Sequence, residues 1–311
     1  MSDVAISADS LTKDYDAIRA LDGMKLSVPR GSIYGFLGRN GAGKTTTIRI
    51  LMGLVRPTAG NANVLDMKWP DDGLSILRRT AYVGESKCLL DSMTGEELVR
   101  FNRPFFATWS ETLATKCIRR LEIPMQRPFK KLSLGNRTKI CLLMALAQGA
   151  ELLILDEPTS GLDPVMVDQL WQLVIEDHVG EGRTVFLASH QLADVERVAD
   201  WIGIIDHGRI LLEARLDDVR AEYRRVSASG NNLPSSGDAR AISVVPSGLH
   251  REYIVTSGVE RFVADLRNQG ATIVDVSPLG LGEVFLHLLH KEEQCISGNV
   301  GATRVSASSS I

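Results

Sequence analysis

Little in this sequence suggests an oxidising compartment or a membrane-spanning segment. The cysteines, Cys88, Cys117, Cys141 and Cys295, are the only four in 311 residues and lie far apart, without CxxC or metal-type spacing. Neither a disulfide framework nor a zinc cluster is implied. No apolar run approaches the roughly 18 residues that cross a bilayer, and Met1-Ser2-Asp3 lacks the basic-then-apolar pattern of a secretory leader. A cytosolic chain is expected, with any membrane role falling to a separate partner chain. An excess of one charge is missing as well. The formal net charge is -3, which argues against a nucleic-acid surface. Aromatic residues make up only 5% of the chain, and many of them crowd together at Phe101, Phe105, Phe106 and Trp109.

What remains is an ordinary globular composition, 44% hydrophobic and 23% charged, long enough for one large domain and a smaller appendage. Short strands around a turn are expected between Ala5 and Val28. Gly31 to Gly38 reads as a strand entering a glycine-rich loop, and a helix from Lys44 to about Leu54 follows, stopped by Gly53 and Pro57. Apolar runs at Thr80 to Val83, Leu152 to Leu155, Thr184 to Ala188 and Trp201 to Ile205 read as further strands, each separated by helical or loop sequence. That alternation predicts an α/β fold with a mostly parallel sheet and an antiparallel β subdomain. Residues 86–148 read as an inserted helical subdomain. Its aromatics are expected either to fill a small core or to line a groove for a partner's helix.

The large domain is expected to span 1–222 and a linker 223–240, because Ser227-Ala228-Ser229-Gly230-Asn231-Asn232 and Pro234-Ser235-Ser236-Gly237 have linker composition. An α+β accessory unit follows at 241–291. Within it, Val259, Phe262, Val263 and Leu266 mark a helix stopped by Gly270, Ala271 to Val276 a strand, and Leu281 to His290 a last amphipathic helix. Residues 292–311 read as a disordered tail.

The chemistry starts at Gly38-Arg39-Asn40-Gly41-Ala42-Gly43-Lys44-Thr45, which fits G-x-x-x-x-G-K-[ST] between a strand and a helix. Glycines there let backbone N–H groups turn inward around phosphate oxygens, and the helix behind adds a partial positive charge. Lys44 is placed to reach the β- and γ-phosphates and the Thr45 hydroxyl to ligate magnesium, with Thr46 beside it on the cofactor. Leu152 to Leu155 ends in Asp156-Glu157. Strand alternation sends these two carboxylates to different faces, one for the magnesium shell and one for the attacking water. Leu132-Ser133-Leu134-Gly135-Asn136 opens another helix, where Ser133 and the backbone near Gly135 form a second anion site.

The order and spacing of these motifs resemble the ATP-binding cassette (ABC) family over residues 1 to about 222. The resemblance implies an ATPase using ATP and Mg2+, with Glu157, His190 and Lys44 as its catalytic residues. Ser133 to Gly135 would close over ATP held by the phosphate loop of another subunit, in a homodimer or a heterodimer. Ser160-Gly161-Leu162-Asp163 resembles the family's inter-subunit aspartate loop, His190 the switch histidine on the γ-phosphate, and Tyr15 the aromatic that stacks on adenine. At Glu85 the family usually has glutamine; the resemblance makes Glu85 a metal-site residue with Thr45 and Asp156. At Leu134 the family more often has glycine, so the side chain either crowds the nucleotide or points away.

Gly208 to Glu213 and, later, Leu281 to Leu286 resemble the endings of single-cassette ATPases that serve multidrug or antibiotic exporters. The expected role is therefore the energy-supplying subunit of an exporter, peripheral on the inner face of the membrane through a separate transmembrane permease. The alternative is a soluble ABC ATPase acting on a ribosome or DNA. Such proteins usually carry two cassettes or a long coiled-coil insertion, and this chain has neither. A P-loop kinase or GTPase leaves Ser133 to Gly135 and His190 unexplained.

Overall fold

A computed structural model describes residues 3–85, 89–177, 179–230, 233–234, 240–247 and 250–302. The chain divides into two compact units, Met1–Glu213 and Ala214–Ile311.

The first unit opens with two long strands, β1 (Val4–Tyr15) and β2 (Ile18–Pro29), then β3 (Ile33–Leu37) and α1 (Lys44–Leu51). The expected strands between Ala5 and Val28 are thus one hairpin, and α1 ends before Leu54 because Gly53 takes a left-handed φ of 68°. Next come β4 (Ala59–Val64), β5 (Met67–Lys68), α2 (Gly73–Arg79) and β6 (Thr80–Val83), then α3 (Gly95–Asn102), α4 (Glu111–Arg120) and α5 (Leu134–Ala147). The unit continues with β7 (Leu152–Asp156), α6 (Pro164–Asp177), β8 (Thr184–Ser189), α7 (Leu192–Val198), β9 (Trp201–Asp206) and β10 (Arg209–Arg215).

Two sheets form from these strands, one antiparallel in the order β2-β1-β4-β5 and one of six strands in the order β10-β9-β3-β8-β7-β6. Every residue of β3, β7 and β8 is buried. Strands covered on both faces lose the polar alternation of a half-exposed strand, which explains Leu152-Leu153-Ile154-Leu155. These three strands run parallel in register, with Leu37 opposite Ser189 and Asp156 opposite Ala188. Their carboxyl ends therefore deliver Gly38, Glu157 and His190 side by side.

Helices α3, α4 and α5 make up the insertion. α3 starts with a capping box, in which the Thr94 hydroxyl accepts from the Glu97 N–H and the Glu97 carboxylate accepts from the Thr94 N–H. Such a cap contributes about 1 kcal/mol. The buried residues here include Leu98, Leu113, Cys117, Leu121, Phe129, Ile140 and Leu143. Phe101 and Phe105 stay 49% and 63% exposed, their rings 5.7 Å apart. The core expected of those two aromatics is instead aliphatic plus Phe129, because α3 turns Leu98 inward and Phe101 outward. Cys117 is fully buried, and burial pushes its thiol up to about 12. At pH 8 iodoacetamide is expected to leave Cys117 unmodified until the fold is opened by denaturant, since the thiolate is the reactive form. Peptide mass spectrometry reads this directly, and native-state labelling would overturn it. Cys141 is half-buried; Cys88 and the Cys295 side chain fall outside the described residues.

The second unit holds α8 (Leu216–Glu222), β11 (Arg224–Ser229), β12 (Ala241–Ser247), β13 (His250–Val255), α9 (Val259–Asn268), β14 (Thr272–Pro278) and α10 (Leu281–Ala302). Its sheet runs β12-β13-β11-β14. Arg224 to Ser229, expected as the start of a linker, is a central strand. It pairs antiparallel with β13 on one side and β14 on the other, turning Val226 and Ala228 onto Phe262 and Leu266 of α9. Residues 231–232 and 235–239 of the expected linker fall outside the described residues. The helix expected to end at His290 continues to Ala302, carried on by the helix formers Lys291-Glu292-Glu293-Gln294. The expected tail beyond Ala302 lies outside the described residues. Among the described residues, no helix is long and apolar enough to cross a membrane.

Candidate active site

The loop between β3 and α1 wraps tightly because two of its glycines take left-handed backbones, Gly41 at φ 83° and Gly43 at φ 115°. A Cβ on Gly43 would also stand 2.8 Å from the Ala20 carbonyl oxygen, so no side chain fits there. Lys44 lies back over this loop, its Nζ donating to the carbonyl oxygens of Gly38 at 2.7 Å and Arg39 at 3.3 Å. The side chain is buried. Burial lowers its pKa, while Glu157, Asp156 and Glu85 oppose that shift. An ammonium among three carboxylates is the arrangement expected where a polyanion must be met by fixed positive charge and screened acids.

A cavity of about 400 Å³ opens above the loop and brings Asn40, Gly41, Gly43, Lys44, Thr45 and Thr46 together with Glu85, Asp156, Glu157 and His190. Asp156 and Glu157 both line it, contrary to the separate faces expected from strand alternation. The reason is local: β7 ends at Asp156, and Glu157 takes a left-handed backbone with φ 49°. That conformation costs an L-residue roughly 1–2 kcal/mol, and it swings the second carboxylate back beside the first.

The end of β8 holds Glu157 there. Its N–H donates to the Ala188 carbonyl at 3.0 Å, and its Oε1 accepts from the His190 backbone N–H at 2.9 Å. His190 Nδ1 lies 2.7 Å from the same Oε1, and the Ser189 hydroxyl donates to Oε2 at 3.2 Å. Ser189 was not among the expected site residues; Ala20, Arg39 and Ser160 line the cavity, the last two from within the sequence motifs though not singled out there. The signal for Ser189 was its place directly before His190 at a strand end.

The other expected residues are elsewhere on this chain. Tyr15 is 38% exposed at the end of β1, with the Lys13 ammonium 4.9 Å from its ring centre, and does not line the cavity. Ser133 caps α5, its hydroxyl accepting from the Asn136 N–H at 3.4 Å. Gly135 faces the aspartate loop so closely that a Cβ on it would stand 2.4 Å from the Gly161 carbonyl oxygen. Leu134 also leans on that loop: a Cβ on Gly161 would lie 3.0 Å from Leu134 Cγ and Cδ2. Asp163 caps α6, its Oδ1 accepting from the N–H groups of Val165 and Met166 at 3.0 and 3.1 Å.

A glycine-rich loop on a parallel sheet, with a buried lysine and two carboxylates at the end of β7, defines a P-loop nucleoside-triphosphate-binding protein. The ABC transporter family model matches residues 21–160. The chain is 32% identical to the bacitracin transport ATP-binding protein BcrA of Bacillus licheniformis, over 85% of this chain and 87% of that one. It is 34% identical to the daunorubicin resistance ATP-binding protein DrrA3 of Streptomyces coeruleorubidus, over 93% and 96%. Among solved structures, an ATP-binding subunit of an ABC transporter superposes with a TM-score of 0.64 at 28% identity, over 70% of this chain and 92% of that one. The protein belongs to the ABC transporter family, as an ATP-binding subunit that hydrolyses ATP.

Proposed function

We propose that this subunit powers export of an antibiotic or other drug-like compound through a separate transmembrane permease, working at the inner face of the membrane. The relatives' names, bacitracin transport and daunorubicin resistance, support export. They count against a role on a ribosome or DNA. The permease contact is assigned to the helical insertion, where exposed Phe101 and Phe105 present an apolar face.

Within the site, Lys44 and the loop amides hold the β- and γ-phosphates. Glu157 takes a proton from the attacking water, and His190 holds the γ-phosphate in line. Thr45 and Asp156, with exposed Glu85 beside them, supply hard oxygen donors that would hold Mg2+ together with the nucleotide. Held there, Mg2+ would supply positive charge to offset that developing on the phosphates. Tyr15 is assigned to the adenine face.

One observation carries the oligomer: Ser133 and Gly135 line no part of this chain's own phosphate cavity. A second cassette, identical or different, brings its Ser133-to-Gly135 equivalent over the ATP, with Asp163 near the seam. Sedimentation of Glu157→Gln with Mg-ATP tests this, since stalled hydrolysis traps the closed form. The expected result is a nucleotide-dependent shift from monomer to dimer. A chain that stays monomeric at saturating Mg-ATP would overturn the shared site for two copies of this cassette.

A further inference from the structure

Beneath the site, two side chains with no role so far meet in the interior. The Thr159 hydroxyl donates to Asp194 Oδ2 at 2.6 Å, with Thr159 4% and Asp194 9% exposed. A carboxylate taken out of water is tolerated only against donors, so the contact is a demanding one rather than an incidental surface bond. Each partner belongs to a segment that carries site residues. Thr159 lies in the loop that starts at Glu157 and ends at Asp163. Asp194 lies on α7, which starts two residues after His190, beyond the cap residue Gln191.

Helix α7 is itself fixed to the sheet. It approaches β3 so closely that a Cβ on Gly35 would stand 2.3 Å from Val195 Cγ1. The loop is closed at its other end by the Leu162 N–H donating to the Thr159 carbonyl at 3.0 Å and by Asp163 capping α6. A continuous path therefore runs from β3 through α7 and Asp194 to Thr159 and the loop. Glu157 stands at the head of that loop in a left-handed backbone, a conformation that persists only where its surroundings dictate it.

We propose that Thr159 and Asp194 are positioning residues for ATP hydrolysis: their hydrogen bond ties the Glu157-to-Asp163 loop to the His190 helix, so that Glu157 and His190 address the same γ-phosphate. The proposal rests on the reading of Glu157 as the base. A merely structural bond would change thermal stability and leave turnover per folded molecule intact. A positioning bond changes kcat while nucleotide binding, made by the phosphate loop, is kept.

The test uses the full chain and compares Thr159→Val, which keeps the shape and removes the donor, with Thr159→Ser, which keeps the hydroxyl. Phosphate release gives kcat and KM, a fluorescent ATP analogue gives Kd, and melting gives the folded fraction. Thr159→Val is expected to lower kcat about tenfold to a hundredfold while Kd stays within about twofold, because binding common to ground and transition state is untouched. Thr159→Ser is expected to recover most of the rate. In a Glu157→Gln background, Thr159→Val is expected to cause no further loss, since the bond acts through the missing base. Native kcat in Thr159→Val, or an equal loss in Thr159→Ser, overturns the proposal. Where valine prevents folding, Thr159→Ala removes the same hydroxyl without added bulk and is judged by the same outcomes. Glu157→Gln alone separates the two readings. If it turns over normally, the base assignment falls and the positioning role with it; if it is inert while Thr159→Val is native, only the positioning role falls.

Discussion

Replacing Lys44 by alanine is expected to weaken ATP binding strongly and to lower kcat/KM on the order of a hundredfold to a thousandfold, the scale on which single preorganised donors to a developing anion act. The ammonium is held in advance by the carbonyls of Gly38 and Arg39, so it needs no reorganisation when phosphate arrives. Glu157, Asp156 and Glu85 all act on it electrostatically. Without it, two penalties add: the phosphates lose a charge-assisted donor, and they meet three carboxylates without that counter-charge. Lys44→Arg is expected to fail as well, because the planar guanidinium fixes its donors in a fork and cannot reproduce the compact ammonium that the Gly38 and Arg39 carbonyls hold. Calorimetric titration with ATP and steady-state phosphate release check both variants. Near-native binding by Lys44→Ala would show that the loop amides alone hold the phosphates.

How much of this was legible beforehand depended on whether the determining contacts were local. The phosphate loop was readable because its requirements are written in single residues: Gly43 sits where a Cβ meets the Ala20 carbonyl, and Lys44 follows at the helix start. The buried strands were readable because full burial removes polar positions, as in Leu152 to Leu155. β11 was not. Arg224-Arg225-Val226-Ser227-Ala228-Ser229 has the composition of a linker, and its strand state comes from pairing on both edges with β13 and β14, which lie well away in sequence. Phe101 and Phe105 misled for the opposite reason: large apolar side chains are buried by rule, and these two are not.

Within the site, the sequence located both carboxylates and missed their relation. Period-two alternation holds only while the strand lasts, and the left-handed backbone at Glu157 ends it one residue early for the argument. The consequence of Leu134 was equally a matter of tertiary geometry. Its departure from glycine was plain, yet only the approach of Gly161 tells where the side chain rests. Thr159 and Asp194 carried no signal at all, since each is an unremarkable polar residue until folding brings them to 2.6 Å.

The backbone of Glu157 also shapes the second large effect. Glu157→Gln is expected to lower kcat about a hundredfold to ten-thousandfold, the contribution of a positioned general base, with ATP affinity nearly unchanged. Glutamine keeps the volume and the acceptor oxygen that takes the His190 backbone N–H, and its amide NH2 turns toward the Ser189 hydroxyl, which accepts in place of donating. The left-handed backbone and the cavity wall are therefore retained, and what is lost is the ability to take a proton from water. The histidine is affected too. His190 Nδ1 lies 2.7 Å from Glu157 Oε1, so the same carboxylate also orients the ring assigned to the γ-phosphate. An amide at residue 157 alters that contact, so part of the loss reaches the γ-phosphate through His190. Glu157→Asp separates the two contributions, because it keeps the charge while withdrawing the carboxylate by one methylene. It is expected to be nearly as slow, as a misplaced base loses about as much as an absent one. Single-turnover hydrolysis with nucleotide-binding controls reads both variants. Native turnover in Glu157→Gln would transfer the base to another group, and near-native turnover in Glu157→Asp would show that charge beside His190, rather than reach to the water, is what residue 157 supplies.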